Sequence, residues 1–391
     1  MRFSSVRAVV PLLLALGAGT AGAATFDVSG FGTAGFVITD TDKAEFVRGS
    51  QPVGADSSGD VGVDSIAGVQ ATVHLTDAIS GTTQVLLRRL YNDGFELDAP
   101  LAFIKAQVNK DFAVRVGRLP LPVFLVSDFR QVGFANTWIR PPVEVYGQVP
   151  IDSVDGLDML YSGTSGPVSF NAQAFYGKTD VALSAADVSV KDFWGVNGSA
   201  TVGPLTLRVG RTESKLTLTS PQGDALLAGV RQAGFTALAD DLSTVDKKSS
   251  FTAFGAVLDW HNVIVQAEDT KTKLVGYLAD STAWYVLGGY RVDKFTPYAM
   301  YAKRTTDSAT SSNVIPQVGP LIPLALGVNA LLAGSEQNTT SLGLRWDAAS
   351  SVAVKFQYDH VDPTGKGLFA NVKTGFDGPV NVFGIAVDVV F

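Results

Sequence analysis

The chain has 391 residues, a formal net charge of -7, no cysteine, and a hydrophobic fraction of 46% with mean hydropathy +0.21. The acidic balance argues against a nucleic-acid binder, whose footprint is a basic patch, and the absence of cysteine removes disulfides, thiolate metal sites and cysteine nucleophiles. Past residue 24 no uninterrupted apolar stretch reaches the roughly 18 residues of a membrane-spanning helix.

Arg2 and Arg7 precede an apolar run from Val9 to Ala18 and the small residues Ala21-Gly22-Ala23-Ala24. That order is the layout of a secretory signal peptide, so residues 1–24 are expected to be removed and 25–391 to form the mature domain. The remaining chain reads in period two. Leu342, Leu344 and Trp346 alternate with Gly343, Arg345 and Asp347. In the last segment Phe383, Ile385, Val387, Val389 and Phe391 share one face. Sixteen such segments begin near residues 26, 62, 82, 99, 112, 153, 167, 191, 204, 250, 262, 281, 295, 338, 350 and 380. Short turns alternate with long connections at 37–60, 119–152, 214–249, 305–337 and 360–379. A hydrophobic chain without spanning helices crosses a bilayer only as a closed barrel, because every backbone polar group must be paired there. The expected fold is therefore all-β, a transmembrane antiparallel β-barrel of about 16 strands with short periplasmic turns and long extracellular loops. Tyr91, Tyr161, Tyr176, Trp260, Trp284 and Trp346 suit its interfacial girdles. Two apolar, helix-like stretches, Ala225 to Leu242 and Leu321 to Ala333, are expected to pack across the barrel mouth or into a neighbour.

With its signal peptide, a first strand "TFDVSGFGTAGF", about sixteen strands and a terminal phenylalanine, the chain resembles the Gram-negative general porin superfamily. The resemblance implies outer-membrane localisation among lipid and lipopolysaccharide, a homotrimer, and a water-filled channel for small hydrophilic solutes, without enzyme activity, cofactor, metal or nucleic-acid partner. It also implies that the third extracellular loop folds into the barrel. Here that is the connection from Leu119 to Asp152, with Asp128, Arg130, Arg140, Glu144 and Asp152 as constriction-loop candidates. It lacks the short Pro-Glu-Phe-Gly-type signature of enterobacterial loops.

Strand parity assigns Arg88, Lys105, Arg115, Arg208, Arg291, Arg345 and Lys355 to the lumen, against Asp158, Asp259 and Glu268. Such a wall favours small anions although the protein is acidic. The function expected is passive, weakly anion-favouring diffusion. The alternatives are a channel specific for an organic acid, sugar or phosphate, and an outer-membrane hydrolase. The hydrolase would have to use His74, His261 or His360, and the strand map puts these at different barrel ends. Gly30, Gly32 and Gly35 spell the G-x-G-x-x-G fingerprint, but no helix follows. They read as close-approach positions within a strand.

Overall fold

The computed structural model describes residues 24–49, 51–183 and 185–391, so the signal-peptide assignment at 1–24 lies, apart from Ala24, outside the described residues. Among these residues sixteen strands close into one antiparallel barrel, each paired with its sequence neighbours and β1 with β16. In chain order they are β1 Thr25–Thr39, β2 Ile66–His74, β3 Ile79–Arg89, β4 Phe95–Gln107, β5 Phe112–Pro120, β6 Ser153–Ser165, β7 Val168–Ala182 and β8 Asp187–Val202. The second half comprises β9 Leu205–Thr219, β10 Lys247–Trp260, β11 Val263–Lys273, β12 Ser281–Tyr290, β13 Phe295–Thr306, β14 Glu336–Ala349, β15 Val352–Thr364 and β16 Val380–Val390. Every strand starts within four residues of its predicted position. No helix among the described residues is long and apolar enough to cross a membrane.

Alternation sets the two faces. Leu344, Phe356 and Ile385 lie side by side in register across β14, β15 and β16 and point outward, Phe356 at 47% exposure. Their neighbours Lys355 and Ala386 point inward and are buried. Exposed Phe, Leu, Ile and Val continue around the outer wall. In water such a belt would be a large unfavourable apolar surface, whereas in a bilayer it is the lipid contact. A closed barrel with this belt is an outer-membrane protein. Aromatic rims bound it, with Tyr161, Trp260 and Trp346 near the periplasmic turns and Tyr176, Trp194, Trp284 and Tyr301 toward the outer ends. Tyr91 is a correction, because it sits in the loop after β3 and lines an interior cleft rather than a girdle.

Closure uses the end of the chain. Gly30 N–H donates to the Phe391 carbonyl at 2.9 Å and Phe391 N–H to the Gly30 carbonyl at 3.0 Å. A Cβ at Gly30 would lie 2.2 Å from the Phe391 ring, so the first glycine of the apparent nucleotide motif is a seat for that aromatic.

The long loops fold inward or onto one another. Residues 121–152 enter the barrel. The loop after β1 and the loop before β16 share an apolar cluster containing Phe46, Val361, Phe369 and Val382. The two predicted helical stretches form α2 Pro221–Gln232, α3 Thr236–Asp241 and α4 Ile322–Leu332, α1 being the single turn Val143–Tyr146 inside the barrel. These outer helices pack together around Leu227, Val230, Ala239, Tyr277 and Val328. They therefore form a cap on one side of the mouth.

Candidate channel constriction

Residues 121–152 follow β5 and run back into the barrel because part of its inner wall is apolar. On β10, β12 and β13 the inward positions are Phe251 and Ala253, then Ala283, Tyr285 and Leu287, then Tyr298, Met300 and Ala302, all buried in one core with Leu121, Val123, Phe124, Trp138, Val145 and Tyr146 of the loop. Phe124 stands edge-on to Phe251 at 5.2 Å, and Trp138 edge-on to Tyr285 at 5.6 Å. Leu125 packs over Gly255, where an added Cβ would come within 2.8 Å of it. Burying these side chains supplies the non-directional part of the docking, about 1.5 to 3 kcal/mol for each large one.

Charged groups fix its position. Arg140 donates to both oxygens of Asp64, at 2.5 Å to Oδ2, and to Asp359 at 2.7 Å. Its guanidinium lies 5.1 Å from the centre of the Phe46 ring. Lys355 Nζ donates to the carbonyls of Gly133 and Trp138 at 2.7 and 2.8 Å and pairs with Asp388 at 2.8 Å. Arg345 donates to the carbonyls of Phe134 and Asn136 at 2.6 and 2.8 Å. Glu268 accepts from Leu125 N–H at 2.7 Å and the Tyr146 hydroxyl at 2.9 Å. Glu144 accepts from Gln337 and Thr339 at 2.7 and 2.5 Å. Its burial raises the Glu144 pKa, the two donors opposing that shift. Arg208 donates to the Pro122 carbonyl at 2.8 Å.

Several parity assignments therefore need correcting. Glu268, Arg345 and Lys355 face inward as expected, but they lie beneath the loop, with the Lys355 side chain entirely buried. They hold the constriction in place and do not line an open channel. Arg140 and Glu144 are likewise buried in the packing between loop and wall. A strand pattern reports which face a residue takes, not what a 32-residue insertion then lays over it.

The loop leaves open a cleft on the opposite side, against β2 and β3. Arg48, Arg88, Arg89 and Arg130 line it together with Tyr91, Tyr146 and Asp152. Asp152 bridges Arg88, at 2.5 Å, and Arg130. Arg88 also pairs with Asp98 at 2.6 Å, Arg89 with Asp60 at 2.8 Å, and Arg48 with Asp64 at 3.5 Å. Four guanidiniums thus meet the cleft directly, with one carboxylate among them. Burial, reinforced by Arg88, pushes Arg130 down to about 10, so it remains cationic at neutral pH. Sequence analysis identified Arg88, Arg130 and Asp152 but missed Arg48 and Arg89. Arg48 lies in a loop where alternation carries no information, and Arg89 is the last residue of its strand.

The remaining candidates are spread along the interior. Arg115 grips Asp158 through two guanidinium nitrogens, at 3.0 and 2.5 Å, and Gln173 donates to the same carboxylate at 2.7 Å. Lys105 lies opposite Arg115 on β4, without a carboxylate within 4.0 Å among the described residues. Asp259 and Arg291 form an exposed pair at 2.7 Å by the periplasmic turns, away from the constriction. Asp128 is exposed at the loop surface. The histidines lie apart. His74 meets Asp27 at 2.9 Å near the periplasmic rim, His360 meets Asn381 at 2.9 Å near the outer ends, and His261 occupies a left-handed turn position.

No protein-family model matches the sequence, and no curated protein does. Solved structures match throughout the barrel. OmpT, an outer membrane protein of Vibrio cholerae, is 16% identical, with 95% of this chain and 99% of that one covered at a TM-score of 0.55. The anion-selective porin from Comamonas acidovorans is 13% identical, with 94% and 100% covered at 0.55. The outer membrane channel DcaP of Acinetobacter baumannii is 11% identical, with 95% and 99% covered at 0.55. At such identities the likeness shows the fold: the chain has the sixteen-stranded barrel of Gram-negative outer-membrane porins.

Proposed function

We propose that the chain is a passive outer-membrane diffusion channel for small hydrophilic solutes with a weak preference for anions. The arginine-lined cleft between the inserted loop and β2–β3 carries this reading. Guanidinium groups in a narrow low-dielectric passage concentrate anions there, and Asp152 and the carboxylates behind the arginines keep the preference weak. Arg88, Arg130 and Asp152 control the constriction, and Lys105 and Arg115 flank the path, with Asp158 buried behind Arg115 and Arg208 held on the loop. The likeness to an anion-selective porin fits this reading. In planar bilayers the purified protein is expected to give stepwise conductance, with a reversal potential of anion-selective sign under a KCl gradient. Cation selectivity would overturn the preference, and absence of steps would overturn the channel.

A second reading, a channel with a saturable site for an organic acid or phosphate, is favoured by the arginine forks flanked by Tyr91 and Tyr146, since such forks match carboxylate and phosphate geometry. Saturable block by one anion, against none by sugars, distinguishes it. The barrel works as a homotrimer in this proposal, as OmpT does in its trimer form. Chemical cross-linking stopping at three subunits tests that.

A further inference from the structure

The carboxylate that lines the arginine cleft belongs to the chain itself. Asp152 is the last residue before β6, and Leu121 N–H donates to its carbonyl at 3.0 Å. Its main chain is thereby fixed at the base of the inserted loop, and only its side chain can leave the cleft. One of its oxygens meets Arg88 and the other Arg130. A carboxylate that bridges two guanidiniums in this way sits where an arriving anion would bind. The hold on it is looser than on Asp158, which is gripped by two nitrogens of Arg115 and has no exposed surface. The Asp152 side chain is 24% exposed. It accepts from a single nitrogen of Arg88, which Asp98 shares, while Arg88 Nε is buried without a hydrogen-bond partner among the described residues.

The surrounding charges close on themselves. Asp98 backs Arg88, Asp60 holds Arg89, and Asp64 is divided between Arg48 and Arg140, the latter also binding Asp359. With Asp152 and Arg130 added, five guanidiniums meet five carboxylates. Glu96, opposite Arg88 on β4, accepts from Asn92 N–H, and Asp155 is held by Arg118. While Asp152 is in place, the cleft therefore has no surplus cation. Displacing that one side chain uncovers Arg130, which has no other carboxylate within 4.0 Å among the described residues. The group in the seat also names the class of its competitor, since an aspartate side chain is in effect a tethered acetate. The loop adds Pro141, Val143, Val149 and Pro150 to the lining. Their side chains suit a short alkyl stem and offer no donor to the further oxygens of a phosphate.

We infer that the cleft is a seat for short monocarboxylates, and that Asp152 occupies it between passages as an internal competitor, swinging out when a solute carboxylate takes its place on Arg88 and Arg130. The inference rests on the second reading above, a saturable anion site in the cleft, and adds what keeps that site weak. A tethered competitor acts at a fixed and high local concentration, so wild type releases its solute readily. In Asp152→Ala that competitor is gone and Arg130 is left buried without its counter-ion. Acetate is expected to block the chloride current of this variant with a half-blocking concentration at least about tenfold below that of wild type. Acetamide should have no effect, and phosphate should block much less than acetate. Acetate should also raise the temperature at which the variant loses its compact electrophoretic form, a readout independent of conductance, and leave wild type nearly unchanged. Should Asp152→Ala fail to assemble, Asp152→Asn, which keeps the size of the side chain without its charge, is expected to show the same shifts. Equal acetate sensitivity of wild type and a folded variant would overturn the proposal, and so would block by phosphate as strong as that by acetate. Wild type without conductance steps would overturn the channel reading instead, and the thermal shift alone would then decide whether the seat exists.

Discussion

Arg140 shows how a single side chain can hold the constriction. It is buried and joins three parts of the chain: its own loop, Asp64 just before β2, and Asp359 on β15. Arg140→Ala leaves Asp359 buried without its cation and Asp64 with only Arg48, at 3.5 Å, a loss of about 3 to 5 kcal/mol for a broken buried pair. Because the apolar contacts of Phe124 and Trp138 survive, we expect the barrel to assemble with a loosened loop. Single-channel records should show noisier, larger steps, whereas quiet wild-type steps would place the anchor elsewhere. Arg140→Lys should not restore them, since an ammonium cannot donate as a fork to Asp64 while reaching Asp359. Glu144 gives a prediction of the opposite sign. Burial raises its pKa, so the folded state holds its proton more tightly than the unfolded chain. The group then favours folding below its unfolded pKa, near 4.3 for a free glutamate, and becomes progressively unfavourable as pH rises toward the elevated folded value. Glu144→Gln retains an oxygen to accept from Gln337 and Thr339 but carries no charge. At pH 7 the variant should keep its compact electrophoretic form to a higher temperature than wild type, with the gap closing near pH 4. A lower temperature at pH 7 would show that the ionised carboxylate stabilises the loop.

At the scale of elements, the strands were legible because lipid imposes a strict rule on one face. Sixteen starts fell within four residues, and Gly30 and Gly35 of β1 are close-approach positions as read, whereas a Cβ at Gly32 would meet its nearest atom at an ordinary 3.5 Å. The docking of the loop was less legible, although it left a trace. In β12 the inward Ala283, Tyr285 and Leu287 alternate with outward Trp284 and Val286. A strand apolar on both faces is buried on both, so this wall of an otherwise polar interior required a cover. The sequence reading recorded only Trp284 of this strand, as a girdle residue. It likewise could not tell an inward cation meeting water from one meeting a carbonyl, which is why Arg345 and Lys355 were placed in the channel. Gly255 tests the fit between wall and loop. Its missing side chain admits Leu125, so Gly255→Leu should push the loop off β10, at a cost of about 1 to 3 kcal/mol for overpacking. A severalfold rise in conductance is expected. Unchanged conductance in a folded variant would mean that this contact does not set the width.

For the whole molecule, the proposed anion preference runs against the net charge, and the reason offered is that position outweighs number. The chain carries -7, yet Asp40, Asp42, Asp93, Asp240 and Asp241 stand in outer connections. At ionic strengths near 0.1 M the Debye length is about 10 Å, so distant exposed carboxylates are largely screened from an ion inside the cleft. Arg88 and Arg130 are within it. Arg115 has a carboxylate locked against it and donates to both of its oxygens, so its field in the lumen is nearly cancelled. Reversing Arg115 would set two carboxylates face to face and damage the wall before it reported on selectivity. The informative comparison is between Arg88→Gln, which removes one cation from the cleft, and Arg291→Gln, which removes one at the exposed periplasmic end. Under a tenfold KCl gradient centred near 0.1 M, wild type should reverse on the anion side, Arg88→Gln should move clearly toward zero or beyond, and Arg291→Gln should stay close to wild type. Raising the salt to about 1 M, where the Debye length falls to about 3 Å, should shrink the difference between wild type and Arg88→Gln. Equal shifts in the two variants would mean that net charge, and not the arginine cleft, decides which ions pass.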